Sequence, residues 1–476
     1  MFDIAIIGAG VVGGMIARAL ARYRLSICIL ERESDVSMGA TRANSGIVHA
    51  GFDALPGTLK ASLNVRGAQL MEEAANQLGV EYRRNGSLVL SFGSPQEDAA
   101  LSALLERGRQ NGVQGLRLLD RQELHRLEPS LSDGAVRALY APTGAIICPY
   151  SLAIAAVGNA MDNGAQLRTN FPVDSAVPLK AGYELRAGGD AIQARYVVNA
   201  AGIYADRVAA LLGDASFTIS PRRGQYLLLD QACGGLLSHT LFQTPTRLGK
   251  GILATPTADG NLLLGPTAED LSDRGDTATT AQGLRTVWEQ AEKLLPGLPA
   301  GKVITSFSGL RAVGGTGDFL IFGGPNVLHV AGIESPGLSA SPAIAGYVVE
   351  RLRERGLELR EKEHYQPGRK SYHAFRRLPA EEKNRIIRQD GRFGRIICRC
   401  ETVTEGEIVE AIHRNPPAVT LDAVKRRTRS GMGRCQGGFC TPALLEILAR
   451  ETDVPLEHIT KSGGGSYLAA RRTKGG

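Results

Sequence analysis

The chain has 476 residues, 43% of them hydrophobic, and this length exceeds what one core usually organises, so we expect two or three domains. It contains no run of eighteen apolar residues and no basic-then-apolar leader, which predicts a cytoplasmic protein in a reducing compartment. The net charge of +7 is unevenly distributed along the chain.

The chain begins with a strand, a glycine turn, a helix and a second strand, in FDIAIIGAGVVGGMIARALARYRLSICILERE. In its G-x-G-x-x-G pattern, Gly8 allows a tight turn, Gly10 a close approach to a pyrophosphate and Gly13 packing of helix on strand. The pyrophosphate would lie at the helix N-terminus, where free N–H groups favour an anion. Glu31 ends the second strand and can accept hydrogen bonds from ribose hydroxyls. A complete βαβ unit of this kind predicts a dinucleotide site, but it does not distinguish NAD from FAD.

The segment MGATRANSGIVHAGF (38–52) is small, polar and glycine-rich, and it directly follows the second strand. It resembles the flavin-covering loop of the FAD-dependent oxidoreductases related to D-amino acid oxidase and glycerol-3-phosphate dehydrogenase. YVVNAAGIYADRVAALLG (196–213) is similar to the strand and turn over the adenosine half, and VLHVAGIESPGLSASPAIAGYVVERL (327–352) to the last strand and a helix facing the flavin pyrimidine. The resemblance covers nearly all of residues 1–355 and implies bound FAD.

The resemblance also implies a fold and a set of cofactor-contacting residues. The fold class is α/β, with a Rossmann-type FAD-binding domain (residues 1–82, 141–220 and 325–360) and an inserted, mostly antiparallel substrate domain (83–140 and 221–324). Strand patterns at 83–92, 221–230, 250–268 and 319–324 agree with the inserted domain. Besides Gly8, Gly10, Gly13 and Glu31, the implied FAD contacts are Arg32, Thr41, Asn44, Ser45, Gly46, Val173, Gly202, Gly337, Leu338 and Ser339.

Four of the seven cysteines lie in the last sixth of the chain, at Cys398, Cys400, Cys435 and Cys440. The other three (Cys28, Cys148 and Cys233) stand alone in apolar surroundings, and we expect them to be buried. Between the two pairs the sequence predicts two short helices joined by a proline turn, which would bring both pairs to one end of a helical module. Four thiolates can hold a [2Fe–2S] cluster or a structural zinc, although C-x-C is uncommon in zinc sites.

The cysteine segments ICRCETVTEGEI and RRTRSGMGRCQGGFC resemble the bacterioferritin-associated-ferredoxin-type [2Fe–2S] domain. We assign it residues 391–476, as a small α-helical domain after a linker at 361–390. A flavin domain followed by this module is similar to the large subunits of the anaerobic glycerol-3-phosphate dehydrogenase family. That resemblance implies oxidation of sn-glycerol 3-phosphate to dihydroxyacetone phosphate by hydride transfer to flavin. The electrons would leave through the cluster to an acceptor protein or companion subunit.

Other functions stay open at this point. TRANSGIVHAGF is closer to the corresponding loop of L-2-hydroxyglutarate oxidases, so a 2-hydroxy acid is an alternative substrate. A secondary amine is another alternative for the same fold. A non-catalytic electron-transfer module is an alternative of a different class, but it would need neither a flavin cover nor a cationic substrate cleft.

Three residues are candidates for the reaction itself. His49 is the one histidine in the segment that resembles the flavin-covering loop, and an imidazole is the natural base for a hydroxyl proton. A structural role or a covalent bond to flavin are its alternatives. A small anionic substrate needs fixed cations: by resemblance Arg311 faces the flavin, and its planar fork suits a carboxylate or phosphate. Lys250, flanked by glycine, can project into the cleft as a point charge.

The positive charge is concentrated near the C-terminus. Residues 361–476 hold 22 Lys and Arg against 14 Asp and Glu, a balance of +8, whereas residues 1–360 hold 33 against 34. This segment has no helix-turn-helix or aromatic stacking motif, so we expect no nucleic-acid partner. A docking face for an acidic protein, or peripheral association with the inner face of the membrane, would use the same charge.

Overall fold

The computed structural model describes residues 1–244 and 251–469. In chain order the strands are β1 (Phe2–Ile7), β2 (Ile27–Leu30), β3 (Ile47–Val48), β4 (Tyr82–Arg83), β5 (Ser87–Ser91), β6 (Arg117–Leu119), β7 (Arg137–Ala141), β8 (Ala145–Ile147), β9 (Gln166–Arg168), β10 (Ser175–Leu179), β11 (Gly182–Ala187), β12 (Asp190–Asn199), β13 (Ser220–Leu229), β14 (Thr240–Gln243), β15 (Leu253–Pro256), β16 (Leu262–Gly265), β17 (Glu269–Asp270), β18 (Val303–Val313), β19 (Leu320–Phe322), β20 (Val327–Ala331), β21 (Ile396–Cys398) and β22 (Val403–Thr404). The helices are α1 (Val11–Leu20), α2 (Leu59–Leu78), α3 (Pro95–Gln110), α4 (Arg121–Leu127), α5 (Pro149–Asp162), α6 (Ala205–Leu211), α7 (Ala281–Leu294), α8 (Gly337–Glu354), α9 (Ala374–Arg377), α10 (Ala380–Gln389), α11 (Glu405–His413), α12 (Leu421–Thr428) and α13 (Thr441–Thr452). Among these helices none is long and apolar enough to cross a membrane.

The first sheet has eight strands and carries the glycine fingerprint. Its order is β10-β11-β12-β1-β2-β9, with β20 beside β12 and β19 beside β20. At its centre β1 is parallel to both β12 and β2, so that Ile6 lies opposite Val198 and Ile29. Helix α1 packs against α5 and α8, and Gly14 allows the contact because an added Cβ would lie 3.1 Å from a methyl of Val157. Coverage of the central strands explains why they are almost wholly apolar.

One strand differs from the expectation for the inserted domain. We expected the segment 319–324 in the substrate domain, but β19 pairs antiparallel with β20, with Ile321 opposite Val330, and so belongs to the first sheet. The reason is a tight hairpin: Gly323 follows β19 at a point where an added Cβ would lie 2.3 Å from the carbonyl oxygen of Val327. The glycine turn therefore returns the chain directly onto its neighbour. The other domain boundaries remain predictions.

The second sheet has nine strands in the order β17-β13-β16-β15-β14-β5-β7-β6, with β18 also paired to β13. All of its pairings are antiparallel except that of β14 with β5. Its core is built from alternating leucines, including Leu88, Leu90, Leu227, Leu229 and Leu262, closed by α7 through Val287 and Leu294. The mostly antiparallel second sheet was predicted. Strands β5, β15 and β16 lie within the segments that the sequence indicated, and β13 begins one residue before its segment.

The C-terminal unit is a small bundle of α11, α12 and α13 beside the β21–β22 hairpin. Thr404 begins α11 with a capping box, in which its hydroxyl accepts from the Glu407 N–H and the Glu407 carboxylate accepts from the Thr404 N–H. Ile408, Val424, Leu444 and Leu448 form part of its apolar core. The two short helices predicted between the cysteine pairs are α11 and α12.

The segment 361–390, predicted as a linker, packs along the first domain. Its α9 and α10 are short, and α10 has no buried residue. Upstream, the Arg369 N–H donates to the Gln77 carbonyl over 2.7 Å, and the Arg369 side chain pairs with Asp162 at 2.7 Å. The connection is therefore held along the surface of α2 and α5.

The C-terminal unit is joined to the first domain through Asp35, a carboxylate 3% exposed. Arg426 donates to Asp35 Oδ2 over 2.6 Å, while Arg427 donates to Oδ2 and Oδ1, each over 2.9 Å. Burial alone would raise the pKa of Asp35, but the charges and hydrogen bonds of Arg427 and Arg426 outweigh it and hold the pKa below its usual value. A buried carboxylate shared by two guanidinium groups fixes the unit in one position.

A second junction reaches the inserted domain through Arg429. This residue follows α12 in the left-handed conformation, with φ 69°. Its buried guanidinium lies 2.7 Å from Asp259 and 2.8 Å from Glu401, and it donates to Asn261 over 3.1 Å. Asp259 and Asn261 lie between β15 and β16, so one arginine connects the C-terminal unit to the second sheet.

Candidate functional site

The glycine turn between β1 and α1 is closely packed from behind. Gly8 has φ 107°, and an added Cβ there would lie 2.4 Å from the carbonyl oxygen of Ala200. A Cβ on Gly13 would lie 1.9 Å from the carbonyl oxygen of Gly8, so neither position accepts a side chain. The turn therefore presents backbone alone at the first turn of α1, which is the surface that a pyrophosphate requires.

Glu31 lies beside this turn and is buried. Its carboxylate accepts from the N–H of Ala9 over 2.9 Å and from the N–H of Glu33 over 3.1 Å. Burial raises the pKa of Glu31 despite these two hydrogen bonds, which favour the charged form. One carboxylate oxygen is thus tied to the glycine turn, and the side chain faces the cavity described below.

The loop of residues 38–52 lies against the N-terminus of α1. The Thr41 hydroxyl accepts from the Val11 N–H over 3.0 Å. Asn44 accepts from the Gly46 N–H over 2.9 Å and donates to the Thr41 carbonyl over 2.9 Å. Strand β18 approaches the same loop, since a Cβ on Gly309 would lie 2.0 Å from the carbonyl oxygen of Ala43. The loop is consequently held between the two sheets.

A cavity of about 1600 Å³ runs from the glycine turn to the inserted sheet. The predicted residues that line it are Gly8, Gly10, Glu31, Arg32, Thr41, Asn44, Ser45, His49, Val173, Gly202, Arg311, Gly337 and Leu338. A turn of bare backbone at a helix N-terminus, a buried carboxylate and an elongated cavity fit FAD. The cavity thus collects predicted cofactor residues and predicted catalytic residues along one surface.

Three predicted FAD contacts lie behind the cavity wall instead. Gly13 packs on Gly8. Gly46 has φ 67°, and an added Cβ there would lie 2.6 Å from the Ile147 carbonyl oxygen. Ser339 is fully buried in α8, and its hydroxyl accepts from the His49 N–H over 2.7 Å. These three residues therefore support the cavity wall, and their contact with FAD stays a prediction.

His49 lies at the edge of the cavity nearest α8. Its Nε2 is 3.4 Å from the Ser335 hydroxyl, and its ring centroid is 5.8 Å from that of Phe242. The backbone hydrogen bond to Ser339 fixes where the side chain begins. Its catalytic role remains a prediction.

Arg311 reaches the cavity from β18, opposite Arg222 of β13. Arg222 pairs with Asp270 at 2.5 Å, whereas within the described residues Arg311 has no ion pair with a carboxylate. Arg311 contacts the Tyr226 hydroxyl. Burial raises the pKa of Tyr226, and the positive charge of Arg311 partly offsets this rise. An arginine that faces a cavity and has no carboxylate partner among the described residues can bind an anion. Lys250, the other predicted cation, lies outside the described residues.

An ion pair in the cavity wall was not predicted. Lys60 Nζ lies 2.9 Å from Glu334 Oε1, with side chains 12% and 22% exposed. Lys60 is near the start of α2, where its N–H donates to Asp318, and Glu334 precedes α8. Because the partners are 274 residues apart, no local sequence signal could have indicated the pair.

The four C-terminal cysteines come together as a chain of contacts. The sulfurs of Cys398 and Cys400 are 3.8 Å apart, those of Cys400 and Cys435 are 3.9 Å apart, and Cys440 hydrogen-bonds to Cys398. The Cys440 contact and backbone N–H groups lower the pKa of Cys398 to about 5, and burial raises that of Cys400 to about 11. Burial opposes ionisation of Cys435, but N–H groups of the 437–439 backbone outweigh it and lower the pKa.

This donor set fits a cluster with four thiolate ligands. Within residues 1–244 and 251–469, no three His, Cys, Asp or Glu side chains surround one point as ligands of a single metal ion would. A [2Fe–2S] cluster divides its four thiolates between two irons, so its ligands need not surround one point. The three other cysteines, at 28, 148 and 233, are buried as expected.

Comparison with known proteins bears on both halves of the chain. Residues 3–351 match the model of the family described as FAD dependent oxidoreductase. The chain belongs to this family. Residues 396–450 match the model of the BFD-like [2Fe-2S] binding domain. The predicted α/β fold with a helical C-terminal domain, the two cofactors and the FAD-dependent oxidoreductase class are confirmed.

Individual relatives of this FAD-dependent oxidoreductase span different lengths. Glycerol 3-phosphate dehydrogenase of Caloramator mitchellensis is 47% identical over 100% of this chain and 99% of that protein. Mitochondrial L-2-hydroxyglutarate dehydrogenase of Bos taurus is 30% identical over 74% of this chain and 89% of its own. The FAD-bound, dithionite-reduced L-alpha-glycerophosphate oxidase of Mycoplasma pneumoniae superposes with a TM-score of 0.73 and 29% identity, covering 79% of this chain and 99% of the oxidase.

Proposed function

We propose that this enzyme oxidises sn-glycerol 3-phosphate to dihydroxyacetone phosphate. The observation that carries the proposal is the Arg311 guanidinium, which faces the cavity without a carboxylate partner among the described residues and shares that cavity with His49. A phosphate monoester suits the planar fork of an arginine. The full-length similarity to a glycerol 3-phosphate dehydrogenase supports the same substrate.

FAD would be held by the backbone of Gly8 and Gly10, by Glu31 at the adenosine ribose and by the 337–338 turn at the other end of the cavity. When bound there, FAD supplies the acceptor for the hydride that leaves the substrate carbon. Thr41 and Asn44 would hold the loop against the cofactor, since their hydrogen bonds already fix it to α1. The predicted contacts of Arg32, Ser45, Val173 and Gly202 belong to the same proposal.

The chain's own residues would then handle charge and proton. Arg311, together with Lys250, would bind the phosphate and set the orientation of the secondary alcohol. His49 would accept the hydroxyl proton as the hydride departs, which is a general-base role. The hydrogen bond from its N–H to Ser339 and the neighbouring Phe242 ring would keep the imidazole at one position.

We further propose that electrons leave through the cluster held by Cys398, Cys400, Cys435 and Cys440. A flavin receives two electrons in one step, whereas a [2Fe–2S] cluster passes one at a time. The buried ion pairs at Asp35 and Arg429 support a fixed exit, because they hold the cysteine module on both large domains. An acceptor protein or companion subunit would take the electrons.

A 2-hydroxy acid such as L-2-hydroxyglutarate is the second candidate substrate. Arg311 would bind a carboxylate as readily as a phosphate, and the bovine relative is an L-2-hydroxyglutarate dehydrogenase.

Anaerobic bleaching of the flavin absorbance separates the candidates. After anaerobic mixing of enzyme and substrate, we expect glycerol 3-phosphate to reduce the flavin fully. We expect L-2-hydroxyglutarate, L-lactate and proline to leave it oxidised. An Arg311→Lys variant should raise the glycerol 3-phosphate concentration needed for half-maximal bleaching, because a point charge replaces a two-pronged donor. Bleaching by L-2-hydroxyglutarate and none by glycerol 3-phosphate would overturn the assignment in favour of the second candidate.

A further inference from the structure

Phe439 is the most exposed large apolar side chain among the described residues, at 87%. Single exposed apolar side chains are common on protein surfaces and need no explanation by themselves. Phe439 differs by its position, because it directly precedes Cys440 in the segment that carries two of the four clustered cysteines. Any molecule that contacts its ring lies beside the cluster site.

The conformation of the cysteine loop forces this side chain outward. Gln436 and Gly437 have φ of 48° and 91°, and the following N–H groups, including that of Phe439, point at the Cys435 sulfur. Since the backbone faces the sulfur, the Phe439 side chain faces solvent. Gly437 and Gly438 provide no side chain that could cover the ring.

One arginine beside the two cysteine pairs, Arg399, carries a positive charge that no carboxylate of the described residues neutralises. In residues 391–405 and 430–440, the acidic side chains are inside: Glu401 is buried against Arg429, and Glu405 is buried against Arg450. The exposed charged residues of these two segments are four arginines, of which Arg392 pairs with Asp390, Arg395 with Glu405 and Arg434 with Asp230, and the fourth is Arg399. Arg399 lies between Cys398 and Cys400 and, within the part of the chain that the structure describes, pairs with no carboxylate.

The module cannot swing to meet a distant acceptor, because buried ion pairs fix it at Asp35 and at Asp259. We propose that Phe439 and Arg399 form the docking surface for an acceptor protein with an acidic face. Aromatic and arginine side chains are the types enriched in protein interfaces, and redox complexes are small and electrostatically steered. The proposal rests on the cluster exit proposed above and adds its surface and the class of partner.

The electron balance defines what the partner must do. Oxidation of one alcohol to a ketone releases two electrons and two protons. The protons pass to solvent, and the electrons leave the cluster singly, so two one-electron acceptor molecules are reduced for each substrate oxidised. A membrane surface accepts no electrons, and peripheral binding usually requires a wider apolar face than one ring between glycines. A protein acceptor is therefore the occupant to which we commit.

The soluble domain of cytochrome b5, an acidic haem protein, serves as the probe. Full-length holoenzyme is reduced with dithionite and desalted, so the experiment does not depend on the substrate assignment. Two quantities are measured: the Kd of the complex by isothermal titration calorimetry with oxidised proteins, and the rate of haem reduction. We expect Phe439→Ala to raise Kd by roughly 30-fold, as for an interface hot spot.

Arg399→Glu should raise Kd by roughly tenfold and flatten its dependence on ionic strength, because a charge at the rim acts through steering. The matched controls are Phe92→Ala, whose ring is 36% exposed on the inserted domain, and Arg109→Glu on the exposed surface of α3. Neither control should change Kd. The visible spectra of flavin and cluster and the rate of reduction of a small neutral quinone should be the same in all four variants.

Three results would overturn the proposal. The first is a wild-type enzyme that does not bind cytochrome b5, or variants at 439 and 399 that bind it as the wild type does. The second is a loss of quinone reduction in the variants at 439 and 399 that equals their loss of haem reduction. That result would mean that the cluster itself is damaged. The third is loss of binding to phosphatidylglycerol vesicles with an unchanged Kd for the cytochrome, which would make this face a membrane contact.

Discussion

Replacing Asp35 by asparagine tests whether the cysteine module is rigidly docked. The carboxylate is 3% exposed and receives three hydrogen bonds from two guanidinium groups, and the Arg427 side chain has no exposed surface. Asparagine keeps the shape and one acceptor oxygen but leaves two buried positive charges without a counter-ion. Removing one partner of a buried ion pair costs about 3–5 kcal/mol of stability. Because the asparagine amide oxygen still accepts a hydrogen bond, we expect a cost near the lower value.

A loss of about 3 kcal/mol lowers the equilibrium constant for docking of the module by roughly 10²-fold. Hydrogen–deuterium exchange at pH 7 measures it, because amides of α12 exchange when the module opens. We expect exchange in α12 to accelerate by roughly 10²-fold, while strands of the first sheet change little. The matched control is Glu382→Gln on α10, which removes a solvent-exposed pair with Arg385 and should cost less than about 1 kcal/mol.

The same pair predicts a pH dependence. The pKa of Asp35 is lower in the folded protein than its ordinary value of about 3.9, so the docking free energy is present above that value. It is lost progressively as the pH falls from that value towards the lowered folded pKa. Exchange in α12 relative to the first sheet should therefore be constant from about pH 5 to 8 and rise below about pH 4. Equal exchange in Asp35→Asn and in the Glu382→Gln control would refute the reasoning.

Three further predictions concern the cofactors and the reaction. Anaerobically purified protein should release FAD on denaturation and contain about two irons per chain, and zinc without iron would contradict the cluster. His49→Ala should slow flavin reduction by roughly 10²–10⁴-fold with FAD still bound; loss of FAD with normal reduction of the bound fraction would make His49 structural. Cys435→Ser should preserve substrate-driven flavin reduction in stopped flow but stop delivery to the acceptor. Equal loss of both half-reactions would mean that the module supports the flavin domain and carries no electrons.

The parts of the site that the sequence predicted are those encoded within one turn or one strand. Gly13 is required by its contact with Gly8 inside a single βαβ unit, so the spacing of the pattern indicates this geometry, whereas Gly8 packs on Ala200 from a distant part of the chain. The same holds for the cysteine module, where short spacings and a proline turn bring Cys400 near Cys435. In both cases the local pattern and the fold agree, which is why the resemblance and the structure lead to the same architecture.

The parts that the sequence did not predict depend on distant partners. Lys60 and Glu334 are 274 residues apart, and Arg426 and Asp35 are 391 apart, so neither pair leaves a local pattern. The contact of Ser339 with FAD stays a prediction, whereas the hydrogen bond from the His49 N–H to its hydroxyl, across 290 residues of sequence, was not predicted. β19 was placed in the wrong sheet because an apolar strand of three residues fits either sheet until its hairpin partner is known.

The ion pairs at Asp35 and Asp259 also bear on how this module could be transplanted. The module contributes three buried arginines to the junction, Arg426, Arg427 and Arg429. Two of the carboxylates that neutralise them, Asp35 and Asp259, belong to the FAD-binding and inserted domains. Fused to a flavin oxidase without acids at those two places, the module would bring unpaired buried arginines, each costing several kcal/mol. A working chimera must therefore import the acids with the cysteines, or replace the arginines with apolar residues of similar volume.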